Sequence, residues 1–268
     1  MRYFTTSIIS FGFLIFCCSE VYAQDNHLEA SARFFNAGSL YKQGDYKGAI
    51  EQYEEIIKNG LTSGYLYYNL GNSYFKKGDL GRAILNYERA RTLIPRDSDL
   101  ESNYHYANSL IVNYNFDVKH PLIHRLIHGY SDQITVNELT TISFLLALLI
   151  GIFHLAGLFL KWTPKISWTA MVVLSFLFVF HIFFLVDKIH YQNNLAIVFS
   201  KTDSKYEPIE KATTHFELPE GSKVQIMKRK GEWVKIQRSD GKTGWSKKDR
   251  LEKIIESLER GEPKKRLL

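Results

Sequence analysis

Two long apolar runs, separated by five residues, constrain this chain more than any other feature. Leu139 to Leu160 holds 22 residues with His154 as its only ionisable side chain. Ile166 to Val186 holds 21, with His181 alone. About 20 apolar residues cover the roughly 30 Å hydrocarbon thickness of a bilayer, and soluble core helices seldom stay apolar all round for this length. The break, Lys161-Trp162-Thr163-Pro164-Lys165, suffices only for a tight turn. The pattern predicts a transmembrane hairpin, with helices over 139–160 and 166–186 joined by a loop over 161–165.

The N-terminus predicts which way the hairpin faces. Arg2, the apolar stretch Ile8 to Cys18 and Val21-Tyr22-Ala23 before Gln24 have the make-up of a secretory signal over residues 1–23. Export of residues 24–138 returns the 161–165 loop to the cytoplasm, where Lys161 and Lys165 satisfy the positive-inside preference. Residues before and after the hairpin are then expected in the periplasm, at a bacterial inner membrane. Cys17 and Cys18 are the only cysteines and fall inside the signal. If that signal is removed, the mature chain has no disulfide, thiolate metal site or cysteine nucleophile; an uncleaved anchor is the alternative.

Charge divides the chain unevenly. Residues 1–194 carry 16 basic and 16 acidic side chains, and residues 195–268 carry 18 and 12, so the whole net +6 lies in the C-terminal part. A basic surface beside a membrane favours anionic lipid, cell-wall polymer or an acidic protein. Nucleic acid is not expected across the membrane.

Outside the hairpin the clearest pattern is a 34-residue period. Gly44-Asp45-Tyr46 returns as Gly78-Asp79-Leu80, Ala49-Ile50 as Ala83-Ile84, and Tyr53-Glu54 as Tyr87-Glu88. The second unit adds Tyr67, Leu70, Gly71, Tyr74, Ala90 and Pro95, with small residues where helices cross and a proline where one ends. Residues 28–112 resemble tetratricopeptide domains, two full repeats and a capping helix. The resemblance implies a groove for an extended peptide or partner helix. It would be lined by Tyr41, Tyr68, Asn72, Phe75 and Lys76, with Asn69 and Asn103 nearby. The variant that grips a C-terminal carboxylate wants a lysine where Phe34 stands.

Residues 113–138 are expected to link the repeats to the membrane. His120, His124 and His128 recur at helical spacing there, beside Leu122, Ile123, Leu126 and Ile127. An interfacial amphipathic helix explains the pattern better than a metal site, since no acid or cysteine completes a ligand set. His154 and His181 lie at different depths, roughly 10 and 22 Å above the loop edge at 1.5 Å per residue. That mismatch argues against a shared haem or metal, and favours hydrogen bonds to neighbours or contacts with partner helices.

From Leu195 short alternating strands and turn signals take over, including Asp240-Gly241. Leu218-Pro219-Glu220-Gly221, Gly231-Glu232-Trp233-Val234-Lys235-Ile236 and Gly241-Lys242-Thr243-Gly244-Trp245 together resemble a bacterial SH3-like barrel over 195–254. The usual Asn-Val-Arg-x-Gly-Pro opening is absent. Trp233 and Trp245 are the surface candidates, more as partly buried barrel residues than as ligand stackers. A charged helix over Lys247 to Arg260 and a basic tail over 255–268 are expected to close the chain.

The fold class is thus multidomain α plus β: a helical repeat domain, a two-helix membrane hairpin and a small all-β barrel. There is no HExxH, phosphate-cradling glycine loop or Gly-x-Ser-x-Gly, and neither enzyme activity nor a cofactor is expected. The order of the modules resembles the BatE proteins of the Bacteroides aerotolerance system. That resemblance implies a scaffold in a membrane complex tied to oxidative or envelope stress, with partners that carry von Willebrand-type domains. A peptidoglycan sensor or tether is the alternative.

Overall fold

The 34-residue period returns in space as a period of helix caps. The computed structural model describes residues 28–111, 133–159, 164–255 and 265–266. The expected signal, the three-histidine segment, most of the 161–165 loop and most of the basic tail fall outside them. Helix α1 covers residues 28–42. It is followed by α2 (Tyr46–Lys58), α3 (Gly64–Lys77), α4 (Leu80–Leu93) and α5 (Ser98–Ser109). Asp45 caps α2 through Gly48 N, and 34 residues on Asp79 caps α4 through Arg82 N. Ser63 caps α3 through Leu66 N, and 34 residues on Asp97 caps α5 through Leu100 N. Each cap satisfies a helix N–H that has no partner within the helix. Gly78 ends α3 at φ 89°, a left-handed conformation that glycine adopts without steric cost.

The helices pack through the small residues that the period repeats. A Cβ on Gly71 would meet the Tyr87 ring at 2.7 Å, so α3 and α4 cross closely there. Tyr53, Ile56, Leu66, Ile84, Tyr87 and Leu100 are fully buried between the layers.

Two long helices come next, α6 (Val136–Phe159) and α7 (Pro164–Asn193), packed against each other and long and apolar enough to cross a membrane. Pro164 opens α7, where its missing N–H costs nothing. Helix α7 runs seven residues past the apolar stretch, and Lys188 there donates to Ile134 O beside the start of α6. Lower down, His181 Nε2 lies 3.1 Å from Leu139 O on the partner helix. His154 faces outward from α6.

Only Asn194 separates α7 from the first strand of the sheet. Strands β2 (Leu195–Val198), β3 (Thr202–Lys205), β4 (Thr214–Leu218), β5 (Lys223–Lys230), β6 (Trp233–Arg238), β7 (Thr243–Lys247) and β8 (Leu251–Lys253) form one antiparallel sheet. Its order is β4-β3-β7-β6-β5-β2-β8. The expected barrel is therefore corrected: β4 and β8 end the sheet and do not pair with each other. Beyond β2 and β8 the apolar face is already covered by a repeat helix, which does for this edge what closure does for a barrel. The expected charged helix is corrected too. Lys247 ends β7, Lys248–Arg250 make a single 3-10 turn, and β8 pairs with β2. Leu251 and Ile254 pack inward there, and an apolar contact outweighs the helical preference of the charged residues around them. A two-residue parallel pair joins β1 (Leu61–Thr62) to β9 (Lys265–Arg266).

Repeats and sheet share one core. Leu195, Ile197 and Ile254 of the sheet are buried in the same cluster as the repeat residues, each contributing roughly 1.5–3 kcal/mol by its burial.

Candidate functional site

Three first helices of successive units, α1, α3 and α5, bring the predicted groove residues to one face. Asn72 Oδ1 accepts from the Tyr87 hydroxyl at 2.7 Å and from Asn103 Nδ2 at 3.0 Å. Asn103 Nδ2 also donates to the Tyr68 hydroxyl at 2.9 Å. Phe75 meets Tyr106 edge-on at 5.7 Å, and Tyr41 meets Tyr46 at 5.4 Å. Tyr41, Tyr68, Asn69, Asn72, Phe75 and Asn103 are half-buried and Lys76 is exposed. The Asn69 carbonyl accepts from Ser73 Oγ one turn on within α3, and this bond does not join the Tyr68–Asn72–Asn103 network.

Burial raises the Tyr41, Tyr68 and Tyr87 hydroxyls above the ordinary tyrosine range. Burial, then the neighbouring Tyr68 and Tyr41, pushes the Tyr87 hydroxyl far up. Burial and Tyr41 raise Tyr53 to about 12. For Tyr68, burial outweighs the Asn72 hydrogen bond, which acts the other way. Neutral hydroxyls, amide side chains and aromatic edges suit an uncharged, extended backbone better than a substrate that needs acid–base work.

Sequence reasoning missed two members of the cluster. The repeat pattern assigns Tyr87 to interlayer filling, yet its hydroxyl reaches Asn72. Tyr106, 60% exposed beside Phe75, stands 34 residues after Asn72. Continuing the period one unit further would have placed it.

A second constellation ties the repeats to the sheet. Glu88 on α4, 5% exposed, takes Lys223 Nζ at 2.9 and 3.1 Å and lies 3.8 Å from Arg91, and the Tyr104 hydroxyl donates to it. Burial pushes this carboxyl up, but Lys223, Arg91 and the hydrogen bonds more than offset it, leaving Glu88 below the ordinary glutamate range. Glu88 holds Lys223 above the ordinary lysine range in turn, against its own burial. Arg89 bridges Glu252 at 2.9 Å and Ile254 O at 3.0 Å, and Glu220 Oε1 accepts from Gly81 N at 2.7 Å. Gly81, Ile84 and Glu88 recur at helical spacing along α4 and form the stripe that meets the sheet, while Lys76 and Tyr106 stay exposed on the groove face.

Arg96, just past α4, reaches the start of α6. It pairs with Glu138 at 2.5 Å and donates to Gln133 O at 3.0 Å. Thr135 N and Oγ1 also donate to Glu138 Oε2.

On the sheet, Trp233 and Trp245 occupy outward register positions and are half-buried. Lys205 and Lys247 stand 5.8 and 6.0 Å from the Trp233 ring centre, and both pair with Glu210. No group of three His, Cys, Asp or Glu side chains is placed to hold a metal among the described residues.

The family model for the tetratricopeptide repeat matches residues 64–97. That stretch spans α3, α4 and the Asp97 cap, so the second repeat unit is an established interaction motif. A comparison with curated proteins finds no match. The tetratricopeptide repeat is a non-catalytic motif that carries protein–protein contacts, and protein partners are the class of ligand it supports.

Proposed function

We propose that this chain is a non-enzymatic, membrane-anchored scaffold that grips a partner's extended segment on the Tyr68–Asn72–Asn103 face. In this reading the sheet is an SH3-like module that docks a second envelope component. The complex is an aerotolerance or envelope-stress assembly of the BatE kind, with von Willebrand-type domain proteins as partners. Repeats and sheet face the periplasm, behind a secretory signal over residues 1–23. The observation that supports the reading is the face itself, where α1, α3 and α5 present half-buried amide and aromatic groups beside the exposed Lys76 and Tyr106.

Photo-crosslinkers at Lys76 and Tyr106, compared with Lys58 on α2, test it in intact cells. Crosslinks from the first two positions to one von Willebrand-domain protein, absent from Lys58, support the scaffold. Equal products from all three positions, or none, contradict it.

A second reading is a peptidoglycan tether through the basic sheet, supported by Trp233 set between Lys205 and Lys247. Sedimentation of the full chain in nanodiscs with purified sacculi at low salt tests it; absence from the pellet contradicts it.

A further inference from the structure

Contacts along α4 give the sheet a direction relative to the membrane. At the N-terminal end of α4, a Cβ on Gly81 would lie 2.7 Å from Phe199 Cα, and Glu220 accepts from Gly81 N. Two turns on, Glu88 meets Lys223, which pairs with Ile197. Next, Arg89 meets Ile254 O, and Ile254 N donates to Leu195 O. Last, Arg96 meets Gln133 and Glu138, where α6 begins its apolar run. Along α4 toward the membrane the sheet is therefore met in the order Phe199, Ile197, Leu195. Strand β2 leads away from the bilayer, and β5, antiparallel to it, runs back toward it.

Strand β5 is also much longer than β2. Past Gln225, which pairs with Leu195, it continues to Lys230, about 16 Å further at 3.3 Å per residue. From Arg89 to the end of α4 at Leu93 the repeat descends roughly 6 Å, and the non-helical Ile94, Pro95 and Arg96 continue beyond it. The tip of the β5–β6 hairpin thus reaches the level at which Glu138 enters α6. That tip is Met227, 55% exposed, followed by exposed Lys228, Arg229, Lys230, Gly231 and Glu232. Lys235 pairs with Lys228. Four basic residues face one acid.

We propose that the β5–β6 hairpin tip is a lipid-contact element, docking Lys228, Arg229, Lys230 and Lys235 on anionic phospholipid headgroups of the bilayer that α6 and α7 cross. Each basic residue close to an anionic surface favours the docked state by roughly fivefold. Together they hold the rigid repeat–sheet body at a fixed tilt over the membrane. The inference rests on the spanning reading of α6 and α7, and on neither partner reading of the repeats or the sheet.

The test uses the full chain in nanodiscs, with Cys17 and Cys18 replaced by serine. A fluorophore is attached at Met227→Cys, or for comparison at Lys242→Cys in the β6–β7 turn at the far end of the sheet. Nitroxide quenchers sit on the lipid headgroups. Strong quenching at 227 in phosphatidylglycerol discs is expected, severalfold weaker in phosphatidylcholine discs and after K228E/R229E/K230E, with little quenching at 242 throughout. Quenching at 227 no greater than at 242 overturns the proposal. So does quenching at 227 indifferent to lipid charge and to the triple variant, while circular dichroism confirms that the variant is folded. Failure to co-purify with the disc defeats the spanning reading as well; co-purification without quenching defeats this proposal alone.

Discussion

Glu88 and Lys223 stand 135 residues apart in the chain, and their charged groups meet at 2.9 Å between a repeat helix and the sheet. Between them in sequence lie α5, the long helices α6 and α7, and strands β2, β3 and β4. The carboxylate is buried with the Tyr104 hydroxyl on one side and Arg91 on another, both from the repeats, and Lys223 is the partner that the sheet supplies.

Removing the cation should uncouple the two parts. Lys223→Ala leaves Glu88 buried with only Arg91 and Tyr104, and a cost of roughly 3 kcal/mol is expected. Denaturant unfolding in detergent measures it. The double variant Glu88→Gln, Lys223→Met should recover a large part of that loss, because no buried charge is then left uncompensated.

The same pair sets a pH window. The Glu88 carboxyl titrates lower in the folded protein than its ordinary 4.5, so its contribution is present above that value and fades as pH falls through the folded one. Lys223 titrates higher than its ordinary 10.5, so its contribution is complete below 10.5 and fades as pH climbs past the folded value. Unfolding midpoints recorded against pH should show a plateau between these limits, with the acid limb flattened in Glu88→Gln.

Close approach of backbone to backbone makes Gly81 a sensitive position. A side chain there meets Phe199 Cα at 2.7 Å and Phe199 O at 3.0 Å, neither of which can rotate away. Gly81→Val should destabilise the junction by about 1–3 kcal/mol, seen as a lower melting temperature and greater protease sensitivity at residues 199–221.

The apolar runs, the repeat period and the strand alternation were legible because each is a local pattern with one spatial consequence. The caps at Asp45, Ser63, Asp79 and Asp97 follow the period so closely that the helix starts could be counted from it. The junction was not legible. Glu88 repeats Glu54 in sequence, yet Glu54 meets the Tyr74 hydroxyl while Glu88 meets the sheet. Nothing in a repeat unit says which face of it another module will cover. The open sheet and the strand at Leu251–Lys253 escaped notice for the same reason, since both depend on α4 and β2 already being in place.

On the groove face, aromatic anchors should dominate partner binding. Phe75→Ala and Tyr106→Ala are each expected to weaken capture of the partner identified by crosslinking about tenfold or more, with the unfolding midpoint little changed for the exposed Tyr106 and lowered for Phe75, which packs on the repeat core. Asn72→Ala should differ, because it strips the acceptor from both Tyr87 and Asn103 and costs the fold roughly 1–3 kcal/mol as well. Titrations by surface plasmon resonance, run beside thermal melts, separate the two effects.

The shared core and the Glu88–Lys223 contact should make repeats and sheet move as one body at one end of the membrane hairpin. Spin labels at Lys58 on α2 and Lys242 in the β6–β7 turn, measured by pulsed electron resonance in nanodiscs, report on that directly. A single narrow distance distribution is predicted, broadening in Lys223→Ala. A broad distribution in the unaltered chain would mean that the two parts swing independently, and would contradict the single body.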